Sequence, residues 1–474
     1  MADTSALLAA REQMAFTLGF HILLVPFGVV LPFLTLIANR RAIKWNDDDA
    51  LLLARRWSKV IGVLFAVGAV TGTVLSFEFG LLWPGLTGRF GDVFGLPFAI
   101  EGIAFFLEAI LVALYIYSWD RVGPRAHFWL GAPLPFVAVL GSCSILAANA
   151  WMNTPQGFTI DANGEVTNVQ VREALITPAF WYTVGHFLLA ALLCAGFMVA
   201  SIYAVGMLKG RRDRYHRIGF LIGFTVAAIA MPLQLFMGDQ IMRAVLVDQP
   251  VKFAAIELIP TTSTDVPEVI GGHIEDGKVV GGIKIPGLAS FLAGFNTDTE
   301  LQGLDIVPVE DRPPATLVHW AFDVMIGAAT FLTLVVLWFA WVWWRKRDLP
   351  TSKWFLRAAA TCGVVSMIAM EAGWVTTEVG RQPWVVYNVL RTEDAVTSSK
   401  GVWITFPLIV VIYLTIAVVT VKVLRRMSAR WRAEGAITGG PYAPAGTLVL
   451  PDAEPEPAHA AAPEPEATSP AQGP

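Results

Sequence analysis

The stretch FAIEGIAFFLEAILVALYIY, residues 98–117, is twenty residues long and carries no charge apart from two glutamates. A helix rises about 1.5 Å per residue, so this length covers the roughly 30 Å hydrocarbon core of a bilayer. It is apolar nearly all round, as a helix solvated by lipid must be, and lacks the single apolar stripe of a soluble surface helix. Outward from it, the stretch belongs to a series at 15–38, 57–79, 95–118, 127–149, 178–207, 218–238, 316–344, 355–378 and 402–424. The fold class predicted is an all-α polytopic membrane protein of about nine transmembrane helices, with a long external loop between helices 6 and 7.

Composition points the same way. The chain is 55% hydrophobic and 15% charged, with mean hydropathy +0.58, whereas a soluble domain carries about 25% charged residues. The net charge is -4 and the basic residues cluster in short loops, so no nucleic-acid partner is expected. Cys143, Cys194 and Cys362 all lie in apolar stretches without CxxC spacing, which speaks against a disulfide framework or a zinc site. No basic region followed by a small-residue cleavage site opens the chain, so no removable signal peptide is expected.

The basic residues also set the orientation. Arg40, Arg41 and Lys44 follow the first span, Lys209 to Arg217 the fifth, Arg345 to Arg347 the seventh, and Arg425 to Arg432 the ninth. Under the positive-inside rule these loops are cytoplasmic. The amino terminus is then outside and the carboxyl terminus inside, as an odd span count requires. Residues 1–238 hold helices 1–6, 239–315 an external loop, 316–430 helices 7–9, and 431–474 a Pro/Ala/Glu-rich cytoplasmic tail. The tail is too polar to bury a core and is expected to be disordered.

Side chains that are costly at membrane depth are functional candidates. His21 and His186 sit in apolar sequence. Each is either a polar residue bonded across a helix interface or a haem ligand. Met325 lies about as deep in its span as His186, roughly 12 Å from the outer end at 1.5 Å per residue; a thioether there is either core filler or an axial ligand. Glu101 and Glu108 are seven residues apart, two helical turns, and so share one face at different depths. That stacking suits a proton relay. Glu371, Trp374 and Glu378 follow helical spacing, with Arg381 beyond them. Glu378 and Arg381 form either an interfacial ion pair or an iron ligand beside a propionate anchor.

Three segments carry a family resemblance. GWVTTEVGRQPW (373–384) closely resembles the GWxxxExGRQPW signature of subunit I of cytochrome bd-type quinol oxidases. GDVFGLPFAIEGIAFFLEA (91–109) resembles its third-helix segment and QPVKFAAIE (249–257) its quinol-loop motif, here in the short-loop branch. The resemblance implies a catalytic, haem-bearing subunit of a terminal respiratory oxidase in the bacterial cytoplasmic membrane. Membrane quinol would be oxidised and O2 reduced to water, with protons taken from the cytoplasm and released outside. His186 and Met325 would be axial ligands of a low-spin haem b. His21 and Glu378 would serve two high-spin haems, one haem b and the other haem d or a further haem b, with Trp374 packed between cofactors and Arg381 on a propionate. Glu101 would lie at the high-spin pair and Glu108 further along a proton route, and Lys252 and Glu257 would meet quinol. A second large membrane subunit and a small single-span subunit would be partners. One departure is Asp323, two residues before Met325, where many members have arginine. A proton-coupled transporter without haem and a non-catalytic assembly subunit are the rival readings.

Overall fold

The structure, a computed structural model, describes residues 4–433. Among them, nine helical segments are long and apolar enough to cross a membrane. The expected tail lies outside the described residues from 434 onward, while residues 431–433 still belong to the last helix.

The first span is broken in two, α1 (Thr4–Ile22) and α2 (Val25–Trp45). Pro26, in the first turn of α2, has no N–H to offer the Ile22 carbonyl, and Leu24 N donates to His21 O at 2.9 Å instead. His21 therefore sits in the last turn before the break. Asp47 caps α3 (Asp48–Leu82) by accepting from Ala50 N, and its buried carboxylate is paired with Arg41 and Arg214. Pro84 opens α4 (Pro84–Tyr117). The fourth span is a pair, α5 (Pro124–Gly131) and α6 (Pro133–Asn153). A small segment between spans follows, with β1 (Thr159–Ile160), β2 (Val166–Thr167) and α7 (Val171–Leu175).

The fifth span, α8 (Pro178–Leu208), is the most enclosed of the nine, and the bundle packs around it. It lies against α9 (Arg214–Asp248), α2 and α13 (Lys353–Val379). A Cβ at Gly196 would stand 2.7 Å from Gly223 O, and one at Gly223 2.6 Å from Gly196 O, so α8 and α9 touch backbone to backbone. The seventh span, α12 (Ala315–Lys346), packs on α13. The last, α15 (Val402–Ala433), is the least enclosed and lies on α1 and α3. Side chains such as Ile103, Phe106, Phe136 and Ile404 stay exposed on the bundle, as lipid-facing or partner-facing positions do.

The sixth helix does not stop near residue 238 but runs on to Asp248. The loop that follows is ordered and has its own core around Phe253, Ile256, Ile259 and Val318. It holds α10 (Pro250–Ile256), β3 (Glu268–Ile270), β4 (His273–Glu275), β5 (Lys278–Val280), β6 (Ile283–Ile285) and α11 (Leu288–Gly294). Strand β3 pairs with β6 and β4 with β5, both antiparallel. Asp276 and Gly277, both at positive φ, make the tight β4–β5 turn. The Gly271–Gly272 and Gly281–Gly282 pairs are also at positive φ, where the chain steps between the two ribbons. After α13 come β7 (Trp384–Val386), β8 (Leu390–Arg391) and α14 (Thr392–Ala395).

Candidate functional site

His186 lies on α8, facing α9. The Gln234 amide nitrogen is 3.1 Å from its Nε2, and a Cβ at Gly238 would be only 3.7 Å from its Cε1. Met325 reaches from α12 to α13, where a Cβ at Gly373 would meet its Sδ at 2.8 Å. The glycine that opens the GWVTTEVGRQPW segment thus makes room for the thioether. Both side chains border α8 or α13, the two central helices.

Glu378 is held at both oxygens. Asn149 of α6 donates to Oε1 at 2.8 Å and Arg381 to Oε2 at 2.5 Å. This is the ion pair that the spacing allowed. Arg381 is only 3% exposed, yet its Nε and Nη1 have no hydrogen-bond partner among the described residues. The same is true of Trp374 Nε1, Glu371 Oε1 and Gln234 Oε1. Each buried polar atom left unpaired costs about 1–3 kcal/mol, so five of them on α9, α13 and the turn after it mark a place for a polar group from outside the chain. Imidazole, thioether and carboxylate donors with a spare guanidinium fit a haem and its propionates.

The loop motif and the GRQPW segment meet. Lys252 is buried, donates from Nζ to Asn153 Oδ1 at 2.9 Å, and would meet a Cβ at Gly380 with its Cγ at 3.0 Å. Gln249 anchors the same place through Asn153 O at 2.6 Å. Burial and the nearby Arg381 guanidinium push Lys252 down from its usual range to about 7, against an opposing pull from Glu378. Glu257, just after α10, is also buried, and its carboxyl meets that of Glu268 on β3. Burial first, then that neighbour, push Glu257 well above the usual carboxylate range; burial raises Glu268 as well.

His21 hydrogen-bonds Thr71 on α3 at 2.9 Å and packs over Gly72. Glu371 Oε2 approaches Gly19 of α1, so α13 presents a second carboxylate toward the His21 helix. Glu101 and Glu108 are half-buried on α4, on either side of Ala104, which packs against Gly141 of α6. Neither makes a hydrogen bond or ion pair with another candidate residue among the described residues.

Asn149, Gln234, Glu78 and Glu268 were not among the expected site residues. Glu78 is buried on α3 and bonded to Gln13 at 2.7 Å and Thr17 at 2.6 Å. The available signal for Gln234 and Asn149 was an amide inside an apolar span; a lone acid in a strand-like loop gave none for Glu268. Asp323, the departure beside Met325, turns toward the loop. It accepts from Gly271 N at 2.5 Å and lies 3.3 Å from His319.

Residues 9–431 match the family described as cytochrome bd terminal oxidase subunit I. A Bacillus subtilis chain provisionally described as a cytochrome bd menaquinol oxidase subunit I is 35% identical over 431 residues, covering 88% of this chain and 95% of its own length. The cytochrome bd ubiquinol oxidase subunit 1 of the same organism is 32% identical, covering 83% of this chain and 87% of its own. Among solved structures, the bd oxidase from Geobacillus thermodenitrificans superposes with TM-score 0.84 at 34% identity, over 91% of this chain and all of that one.

Proposed function

The chain belongs to the cytochrome bd terminal oxidase subunit I family, and from that premise we propose that it oxidises membrane quinol at the start of its external loop and bears the haems of the enzyme. Membership makes it a multi-pass membrane subunit of a terminal quinol oxidase and implies a subunit II as partner. The observation that carries the finer reading is the junction of Lys252 with Gly380 and Arg381, because it joins the loop motif to the helix bearing Glu378.

His186 and Met325 would hold the low-spin haem b in this reading. His21 and Glu378 would serve the high-spin haem b and a third haem, d or b, with Trp374 beside them and the spare Arg381 nitrogens available to a propionate. Haem, when bound there, supplies a one-electron acceptor for quinol and the iron at which O2 is reduced to water. Gln234 and Thr71 fix the two imidazoles, as partners of ligating histidines do. Gly373 leaves the Met325 thioether its position.

Near pH 7 Lys252 is divided between ammonium and free amine, so it can bond a quinol hydroxyl in either role. Glu257, just after α10, lies beyond it as the proton acceptor. With the amino terminus outside, the loop is external and quinol protons leave on that side. Glu108, deeper than Glu101, passes protons from the cytoplasm toward the outward-lying site, so charge separates without a dedicated pump. A small single-span subunit completes the assembly.

The test is a reduced-minus-oxidised absorbance spectrum of the purified complex together with quinol-dependent O2 uptake. Haem bands and quinol-driven uptake are expected. A complex with neither, correctly folded by helical content, overturns the reading.

A further inference from the structure

We infer that Glu257 and Glu268 form one carboxyl dyad, in which Glu268 is the positioning residue that relays each quinol proton from Glu257 to the aqueous face of the loop. The inference rests on the reading of the loop as the quinol site.

Burial grades from one acid to the other. Glu257 is 7% exposed at the end of α10, whereas Glu268 is partly exposed on β3, at the outer edge of the loop core. Their carboxyl groups meet. Two carboxylates cannot both be ionised in such a place without strong repulsion, so the pair shares one proton. Burial raises both acids and disfavours charge most on the more enclosed carboxyl, which puts the resting proton on buried Glu257 and the negative charge on partly exposed Glu268.

The surrounding groups hold this arrangement. Asp323 of α12 faces both acids and is itself fixed by Gly271 N at 2.5 Å. His319 of α12 spans the dyad's two supports. Its Nδ1 is 2.6 Å from Ile256 O, the residue before Glu257, and its Nε2 is 3.0 Å from Gly271 O, just past β3. On the paired strand β6, Ile285 lies opposite Glu268 and Lys284 opposite Val269, with the Lys284 ammonium donating to Val279 O. Lys252 of α10 is engaged elsewhere, with Asn153. The dyad is thus flanked by the His319 imidazole, which draws Glu268 down against the effect of burial, and by the Asp323 carboxylate, which pushes both acids up.

The proton accounting follows. Each quinol loses two O–H protons and two electrons; a haem bound at the site would supply the acceptor for the electrons, with O2 as the final oxidant. For each proton, Glu268 takes the one resting on Glu257 and loses it to water, and the freed Glu257 carboxylate takes the quinol proton. The pair returns to its starting state after each transfer, with one proton and one negative charge.

The experiment measures quinol-dependent O2 uptake by the full complex as a function of pH, for wild type, Glu268→Gln, Glu268→Asp and Glu257→Gln. Haem absorbance reports assembly. Glu268→Gln is expected to lower kcat about tenfold with KM for quinol little changed, and to flatten the pH profile of kcat on the acid side. Glu268→Asp should recover part of the rate, leaving kcat a few-fold below wild type, which a merely structural strand residue would not require. If Glu257→Gln is slow while Glu268→Gln runs at the wild-type rate and pH profile, the dyad is refuted and the quinol-site reading stands. If Glu257→Gln is also at wild-type rate, the quinol-site reading itself falls. Where Glu268→Gln does not assemble, Glu268→Asp decides: one methylene of retraction should still lower kcat several-fold at unchanged KM, and wild-type kinetics would overturn the relay.

Discussion

Replacing Gly373 by alanine adds one methyl group at the point where α13 faces the Met325 thioether. The new Cβ would stand 2.8 Å from Sδ, whereas heavy atoms in good contact are about 3.5–4.0 Å apart. The sulfur must therefore retreat by about 1 Å. Met325 is a flexible side chain, so the helices can absorb the clash at an overpacking cost of about 1–3 kcal/mol. An axial ligand has no such tolerance. Misplacement of a reacting group by about 1 Å costs on the order of 10²-fold in rate, or about 2.7 kcal/mol at the barrier. Gly373→Ala should keep its helical content, lose the low-spin absorbance band and oxidise quinol on the order of 10²-fold more slowly. Gly62→Ala is the matched control, since its Cβ would meet Ile116 Cδ1 at the same 2.8 Å between α3 and α4, where no candidate ligand lies. It should cost similar stability and leave the spectrum alone. An unchanged low-spin band and normal turnover in Gly373→Ala would refute Met325 as a ligand.

Three further outcomes are expected. Lys252 is held down at about 7, so it is the free amine above that pH and the ammonium below it; kcat/KM for quinol should rise through pH 7, and Lys252→Arg, permanently charged, should abolish the rise. Arg381→Gln removes the partner of a largely buried carboxylate, a change that costs about 3–5 kcal/mol for fully buried pairs and less for Glu378, which is a quarter exposed; a lowered Tm and reduced haem per protein should follow, and full haem content would exclude Arg381 as an anchor. Glu108→Gln keeps shape but cannot ionise, so membrane charging during O2 reduction should slow while electron entry from quinol survives; wild-type charging rates would show that protons take another path.

The spans could be read from the sequence because lipid imposes a length and an apolar surface on any crossing helix, and nine stretches met both conditions. The end of the sixth helix could not. Asp239, Gln240, Arg243 and Asp248 interrupt the apolar run and suggested a loop from residue 239, yet the Asp239–Arg243 pair, one turn apart at 2.8 Å, is satisfied on a continuing helix. The break after His21 was signalled only by Pro26, a residue that other spans here accommodate within a continuous helix, as at Pro97 and Pro232. At the site, residue types at membrane depth drew attention to His21, His186, Glu101, Glu108 and Glu378. Their partners were hidden because Asn149, Gln234 and Glu268 act through tertiary proximity, which no local spacing encodes. The turn of Asp323 toward Gly271 is of the same kind: the substitution was visible, its direction was not.

The seat of Lys252 beneath Gly380 also has a consequence for the birth of the chain. The lysine leaves the ribosome about 130 residues before the turn that covers it, and at 5–20 residues per second that is a delay of roughly ten seconds. During that interval the loop core around Phe253 and Ile256 can close and Lys252 can reach Asn153, but the Gly380 turn that completes its seat is missing. The seat of Lys252 is therefore incomplete until the eighth crossing and the turn after it have been made. Chains halted before that crossing would carry an unsealed loop, a feature by which quality-control proteases could recognise unfinished copies.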